Sequence, residues 1–224
     1  MTFSLIGRCA KTGMFGVVVT SSSVCVTSRC AWARAGVGAV ATQNVTDPRL
    51  GKLGLDLLQQ GHGAASAMAQ MVAAGRFAEY RQLTIVDGDG AVAHHSGSKT
   101  LGRNKVATGG GCVAAGNLLR SQDVPERMVQ AFLAALDDHM GERLLRAVEA
   151  GLAAGGEEGP VRSAGLIVVD RWPWPIADLR VDWHEEPITE LRRIWEIYRP
   201  QMADYLTRAL DPPAAPSYGV PGDR

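Results

Sequence analysis

The stretch RAGVGAVATQNVTDPRLG, residues 34–51, passes from very small side chains to polar ones and then meets a proline. Its first part, residues 36–42, is rich in glycine, alanine and valine, a composition that lets another backbone or layer approach closely. Asp47 and Pro48 supply the N-cap and the first residue of a helix. The stretch therefore predicts a tightly packed strand, a polar turn and a helix.

Strand and helix patterns follow one another in groups along the whole chain. The predicted strands are residues 2–7, 15–20, 36–42, 82–86, 91–95, 105–108, 112–115, 162–170 and 176–182. The predicted helices are residues 48–60, 64–74, 124–136, 141–152 and 187–210. Groups of strands separated by pairs of helices favour an α+β fold with sheets covered by helix layers, and they fit a doubly wound parallel sheet poorly.

The composition predicts one domain without a preference for charged polymers. The chain has 224 residues, of which 46% are apolar, and its 23 basic residues balance its 23 acidic ones. Because the charges balance, the composition gives no indication that a nucleic acid or an anionic membrane surface is a partner. We expect a single domain over residues 1–210 and an extended Pro/Gly-rich tail over residues 211–224.

Cysteine usage and the N-terminal sequence favour a cytoplasmic protein. The four cysteines, at positions 9, 25, 30 and 112, have no CxxC or zinc-site spacing. The N-terminus lacks the apolar core of a signal peptide, and no apolar run reaches the roughly 18 residues of a membrane span. We expect free thiols, no disulfide, no metal and no cofactor.

Four stretches resemble one family. They are MTFSLIGR at residues 1–8, the opening stretch, VAAGNLL at residues 113–119 and EEGPVRSAGLIVVD at residues 157–170. They are similar to DUF1028, a family of bacterial and archaeal domains of unknown function, and the similarity extends over residues 1 to about 200. The resemblance implies an Ntn-hydrolase-like four-layer αββα sandwich with mostly antiparallel sheets. It implies no established reaction and no agreed catalytic residue.

Thr2 is the candidate nucleophile if the fold works as an N-terminal nucleophile hydrolase. Such an enzyme attacks with the hydroxyl or thiol of its first residue and uses the free α-amine of that residue as base. Thr2 qualifies only after removal of Met1, which a small second residue permits. The alternative is that Thr2 is an ordinary strand residue. Ser4 would face the same side of the strand, as a lining residue or a weaker nucleophile.

Carboxamides at two strand ends are candidates for recognising an amide. Gln43 and Asn44 end the small-residue strand, and Asn117 follows another small-residue run. Such groups do not ionise, so they suit amide recognition or donation to an oxyanion. We predict catalytic roles for Asn44 and Asn117 and a substrate-binding role for Gln43. An equally good interpretation is that Asn44 satisfies the turn before Pro48.

Residues 157–163 bring two acids, an arginine and a serine to the start of a buried strand. Arg162 is a candidate clamp for a substrate carboxylate, with Glu157 and Ser163 as further binding residues. Arg162 would otherwise pair with a neighbouring glutamate.

Two histidine-containing motifs carry less weight. His94 and His95 are adjacent in a strand, so they point to opposite faces and do not share a metal ion. Asp182 and His184 precede the last helix and are interpreted mainly as loop residues.

These observations predict an amidohydrolase that cleaves a small amide or cyclic amide. The alternative is a non-catalytic small-molecule-binding or assembly protein on the same fold. Trp172 and Trp174, in a rigid Trp-Pro-Trp-Pro loop, predict a contact between two copies, and so a homodimer, unless both rings cover the chain's own core.

Overall fold

Two antiparallel sheets lie face to face in the computed structural model, which describes residues 1–220. The strands are β1 (Thr2–Arg8), β2 (Phe15–Ser21), β3 (Ala31–Arg34), β4 (Gly38–Asn44), β5 (Arg81–Val86), β6 (Val92–Ser96), β7 (Lys105–Gly109), β8 (Cys112–Asn117), β9 (Ser163–Val169) and β10 (Ala177–Val181). The first sheet has six strands in the order β10-β9-β2-β1-β8-β7, and the second has four in the order β3-β4-β5-β6.

Helices cover the outer face of each sheet. The helices are α1 (Thr27–Cys30), α2 (Pro48–Gln59), α3 (Ala64–Ala74), α4 (Val124–Ala134), α5 (Met140–Ala153), α6 (Pro187–Tyr198) and α7 (Met202–Leu210), and the short α1 differs from the covering helices in contributing Cys30 to the core between the sheets. One apolar core lies between the six-stranded sheet and α4, α5 and α6, and another lies between the four-stranded sheet and α2 and α3. A third core joins the two sheets. The predicted four-layer αββα sandwich with antiparallel sheets is confirmed.

The small residues of β4 allow the close packing that the sequence indicates. Ala39 and Ala41 lie in the core between the sheets, while Val40 faces the helix layer. A Cβ atom on Gly38 would stand 2.4 Å from the carbonyl oxygen of Val86 and 2.6 Å from Leu58. Glycine at this position therefore permits a backbone approach that no side chain allows.

Two elements differ from the sequence-based prediction. Ala31–Arg34 is a strand at the edge of the second sheet, reached by the hairpin that turns at Gly36, and its four residues are too few to show an alternating pattern. The last predicted helix is interrupted at Arg199–Gln201, which forms a 3-10 turn between α6 and α7. Pro200 explains the break, because it has no N–H to donate to the preceding turn.

The extended tail remains a prediction. After α7, a short 3-10 turn at Pro212–Ala214 leads to exposed residues, where the Arg208 guanidinium lies 3.9 Å from the ring centroid of Tyr218. The last four residues of the expected tail lie outside the described residues.

None of the helices within residues 1–220 combines the length and the apolar character needed to cross a bilayer.

Candidate active site

A row of polar side chains crosses four strands at one end of the six-stranded sheet. Thr2 of β1 pairs in register with Ser21 of β2 and with Asn117 of β8, and Ser21 pairs in turn with Ser163 of β9. Directly opposed residues of an antiparallel pair point to the same face. All four are buried, on the face toward the second sheet. The sheet therefore gathers three hydroxyls and a carboxamide around the start of β1.

The Thr2 hydroxyl lies beside a carbonyl oxygen. Its Oγ1 donates to the Met1 carbonyl at 2.5 Å and lies 3.3 Å from Oγ of Ser21. The Ser21 hydroxyl donates to the same Met1 oxygen. Two hydroxyl groups thus converge on one carbonyl oxygen at the N-terminus of the first strand.

A network of carboxamides joins this row to the second sheet. Oγ of Ser4 donates to Oε1 of Gln43 at 2.6 Å, and Nε2 of Gln43 donates to Oε1 of Gln82 at 2.8 Å. Nδ2 of Asn117 donates to the same Gln82 oxygen at 3.1 Å. Gln82 also donates through Nε2 to the backbone carbonyl of Gly116 at 3.1 Å. Every side chain in this network is at most 1% exposed.

The Gly116 carbonyl determines the orientation of all three carboxamides. Because a carbonyl only accepts, Gln82 must present Nε2 to Gly116 and Oε1 to its other neighbours. Gln43 and Asn117 must then donate their NH2 groups to Gln82. As a result, Asn117 gives one N–H to Gln82 and keeps its oxygen, Oδ1, buried and without a hydrogen-bond partner among residues 1–220.

This orientation changes the role available to Asn117. Donation to an oxyanion, the role predicted from the sequence, would use the second N–H of the Asn117 NH2 group, since the first one binds Gln82. The atom that has no partner among the described residues is an acceptor, and Asn117 lies opposite Thr2 in the strand register. An unpaired buried acceptor costs about 1–3 kcal/mol and is suited to hold an N–H group.

Glu157 is a second buried acceptor beside the N-terminus. Its side chain is 2% exposed; Oε2 accepts a hydrogen bond from the Ser22 backbone N–H at 3.2 Å, and Oε1 has no partner in the part of the chain that the structure describes. Burial raises the pKa of its carboxyl to about 7, although the nearby Met1 ammonium and the Ser22 N–H act in the opposite direction. A carboxyl group balanced between its two protonation states near neutral pH is a common feature of functional sites.

Three other predicted residues are hydrogen-bonded or ion-paired to other parts of the chain. Asn44 adopts a left-handed conformation with φ of 71° and binds the Tyr80 carbonyl at 2.6 Å and the Leu101 N–H at 3.2 Å. These partners lie in two distant loops and not in the turn before Pro48, so the side chain satisfies backbone groups other than those that the alternative interpretation named. The guanidinium of Arg162 pairs with Glu185. Ser163 donates to the Ser23 carbonyl at 2.6 Å and accepts from the Val26 N–H at 3.1 Å.

The histidine motifs lie away from this row. His94 is exposed, and Nε2 of His95 is 3.0 Å from the Ala78 carbonyl. His184 uses Nδ1 to accept from the Glu186 N–H at 3.0 Å, within an exposed loop. These contacts agree with the structural interpretation of both motifs.

Sequence reasoning missed two residues of the site, Gln82 and Ser21. Gln82 begins a β-branched strand, and its alternation with Thr84 indicates a polar position on one face. Nothing in the sequence says that this face meets β4 and β8. Ser21 belongs to a polar serine run, and only the β1–β2 register places it opposite Thr2.

The thiols and possible metal ligands complete the description. All four cysteines carry free thiols, and Cys9, Cys30 and Cys112 are buried. Residues 1–220 contain no group of three or more His, Cys, Asp or Glu side chains arranged to hold a metal ion.

Replacement of Gln82 tests the network. We expect Gln82→Ala to lower the free energy of unfolding by about 3 kcal/mol or more, because it leaves the Gln43 and Asn117 NH2 groups and the Gly116 carbonyl unpaired. The exposed Gln130 offers a matched control, and Gln130→Ala should change stability by less than about 0.5 kcal/mol. Urea denaturation measures both, and equal effects would show that the network contributes nothing.

Glu157 should make stability depend on pH. Its pKa in the folded state, about 7, exceeds the ordinary value of 4.5. The unfolded chain therefore loses this proton first, so the carboxyl destabilises the fold progressively as pH rises from 4.5 to 7. The full penalty is about 3 kcal/mol, and Gln avoids it because it does not ionise.

We therefore expect the stability advantage of Glu157→Gln over the wild type to be about 3 kcal/mol larger at about pH 8 than at about pH 4.5. Denaturant titration at the two pH values measures the difference. The exposed neighbour provides the control, since Glu158→Gln should show no such change. An advantage for Glu157→Gln that is independent of pH would contradict the raised pKa.

Comparisons with known proteins agree with the family resemblance. The crystal structure of SPO2555 from Silicibacter pomeroyi, a protein of the DUF1028 family, is 28% identical with a TM-score of 0.84, covering 91% of this chain and 89% of the other. The Gly-1 mutant of Anbu from Hyphomicrobium sp. strain MC1 is 11% identical with a TM-score of 0.43, covering 90% and 96%. Anbu, an ancestral beta-subunit, from Yersinia bercovieri is 8% identical with a TM-score of 0.36, covering 91% and 97%.

No curated protein matches the chain significantly. The profile of the family of unknown function DUF1028 matches residues 2–191. The chain therefore belongs to the DUF1028 family.

Proposed function

We propose that this protein is an amide hydrolase in which Thr2, freed by removal of Met1, is the nucleophile. The observation that carries the proposal is the convergence of the Thr2 and Ser21 hydroxyls on one carbonyl oxygen, that of Met1. A substrate carbonyl that took the place of the Met1 carbonyl would lie next to the attacking oxygen and next to a hydrogen-bond donor. The buried carboxamides around it suit an uncharged amide.

The chemistry requires only groups of the N-terminal residue and water. The α-amine of Thr2 takes the proton of its hydroxyl while Oγ1 bonds to the amide carbon, which gives a tetrahedral intermediate. The C–N bond then breaks, and the departing amine receives the proton. The product is an ester of Thr2, which a water molecule hydrolyses with the same α-amine as base, releasing the acid and restoring the hydroxyl.

The surrounding residues have different roles, because each makes a different atom available for hydrogen bonding. Ser21 donates to the developing oxyanion, as it now donates to the Met1 oxygen. Asn117 Oδ1 accepts an N–H of the α-amine, which keeps its lone pair directed at the hydroxyl. Ser4 and Gln43 position Asn117 through Gln82. Asn44 and Arg162 receive no role in this mechanism, because their side chains bind other parts of the chain.

The alternative is a binding protein without catalysis, and one observation favours it. With Met1 in place, the nitrogen of Thr2 is an amide that cannot act as a base, and the Thr2 hydroxyl is already hydrogen-bonded. The state of Met1 in the natively produced protein decides between the two.

Variants of Thr2 and Ser21 test the mechanism. Intact mass should show loss of Met1, and a panel of small linear and cyclic amides should then reveal a substrate. Thr2→Ala should reduce turnover by about a thousandfold or more, and Ser21→Ala by about a hundredfold. Ser98 is exposed, and Ser98→Ala is the control that should retain full activity. Retention of Met1, or full turnover by Thr2→Ala, would exclude the mechanism.

We also propose that the protein is a cytoplasmic homodimer. The Trp172 and Trp174 rings stack with centroids 5.8 Å apart, and Trp174 remains 38% exposed although it is large and apolar. Such a pair is a suitable anchor for a second copy. We expect light scattering to give about twice the chain mass of 23.8 kDa, and Trp174→Ser to shift the protein toward the monomer. A wild-type monomer at micromolar concentration would contradict this.

A further inference from the structure

A cleft of about 530 Å³ opens beside the N-terminus of the chain. Its walls come from the loop after α5 and from the start of α6, and they include Glu157, Glu158, Gly159, Glu185 and Glu186. The side chain of Met1 packs against Gly159, where an added Cβ would stand 3.0 Å from Cε of Met1. The cleft therefore borders the place that Met1 occupies.

The charges of the cleft leave one carboxylate unbalanced. Three arginines lie at its edge: Arg103 pairs with Glu158 at 3.8 Å, Arg162 pairs with Glu185, and Arg120 lines the wall. Four glutamates thus face three guanidinium groups, and the Met1 ammonium supplies a fourth positive charge until Met1 is removed. The negative charge that remains after its removal suits a ligand with a single positive charge.

Glu157 is the buried carboxylate of the cleft; no arginine or lysine among the described residues pairs with it, and the positive charge near it is the Met1 ammonium. Glu157 is 2% exposed and lines the cleft, and Oε1 has no hydrogen-bond partner among the described residues. A buried carboxylate without a partner is costly for the fold, and a charged N–H donor would remove that cost. The Glu157 side chain therefore favours binding of a cationic ligand in the cleft over binding of a neutral one.

Met1 itself shows how such a ligand would lie. Its carbonyl oxygen accepts from the hydroxyls of Thr2 and Ser21, and its ammonium group is close enough to Glu157 to lower the pKa of that carboxyl. Met1 is an α-aminoacyl group whose carbonyl is hydrogen-bonded to one part of the site and whose ammonium group lies near the other. Once Met1 is removed, an α-aminoacyl group of a substrate has the same partners: the hydroxyls of Thr2 and Ser21 for its carbonyl, and Glu157 for its ammonium group.

We infer that the substrate is an α-aminoacyl amide with a free ammonium group, which binds in this cleft with Glu157 as its counter-ion. This inference rests on the proposed function for the position of the carbonyl group. Glu157 acts in it as a specificity residue, since it contacts the ammonium group and not the reacting carbon. N-acylated and deaminated amides are excluded because they leave the buried carboxylate unpaired.

Binding to a protein that cannot turn over the ligand tests the inference separately from catalysis. The protein to use is Thr2→Ala, with absence of Met1 verified by mass, because Ala also permits removal of Met1. The probes are L-alaninamide and N-acetyl-L-alaninamide, and isothermal calorimetry gives their affinities. We expect L-alaninamide to bind at least about tenfold more tightly, since only it can pair with Glu157.

Two further variants identify the counter-ion. In the Thr2→Ala background, Glu157→Gln should weaken binding of L-alaninamide by about tenfold or more and leave N-acetyl-L-alaninamide unchanged. Glu158→Gln removes the same charge from the same cleft, but its carboxylate is already paired, so affinity should fall less than about threefold. Circular dichroism confirms that each variant is folded.

The outcomes separate this inference from the proposed function. Equal affinities for the two probes, or equal effects of Glu157→Gln and Glu158→Gln, would overturn the inference. Selective binding of L-alaninamide without hydrolysis by the wild type would uphold the inference and refute the proposed hydrolase. Hydrolysis of both amides at equal rates would uphold the hydrolase and refute the inference.

Discussion

The hydrogen bond from Gln82 to the Gly116 carbonyl is the constraint on which the site depends. It crosses from one sheet to the other at the polar end of the core between the sheets, and it leaves a single orientation for each of three neighbouring carboxamides. The Gln82 oxygen receives Gln43 from its own sheet and Asn117 from the opposite sheet. Because one backbone carbonyl determines every donor direction in this network, its hydrogen bonds depend on one another. The two sheets are thereby held in a unique relation at the end where the chain begins.

The same network leaves a buried acceptor at this end of the sandwich, Oδ1 of Asn117, opposite Thr2 in the strand register. Glu157, which lies outside the network, has a second one in Oε1. A buried acceptor without a partner destabilises the fold. In the proposed function, both acceptors bind N–H groups, one of the N-terminal residue and one of the ligand.

Met1 has two contrasting effects in this arrangement. It blocks the α-amine that an N-terminal nucleophile needs, and it satisfies hydroxyls that would otherwise lack a partner. In the chain with Met1, the site is occupied by Met1 itself. Removal of Met1 would free the α-amine of Thr2 as a base and its hydroxyl as a nucleophile, and it would vacate the place that Met1 occupies. The acidic cleft beside it then determines which molecules take that position.

The sequence by itself determined the fold class and several parts of the site. Small residues in residues 36–42 predicted close packing of layers, and groups of strands between helix pairs predicted covered sheets. Period-two alternation placed Thr2 and Ser4 on one face, and the small-residue strands pointed to Gln43 and Asn117. These signals are local, so they are readable from spacing and side-chain size.

Only the tertiary structure decided which polar groups meet and which atoms remain free. Asn44 and Gln43 are neighbours in the chain, yet Asn44 binds backbone groups of two distant loops while Gln43 enters the core between the sheets. Gln82 and Ser21 carry no distinctive motif and become important through strand register alone. The physical reason is that hydrogen-bond direction depends on partners distant in sequence: Asn117 presents an oxygen to the site because a glutamine 35 residues earlier must donate to Gly116.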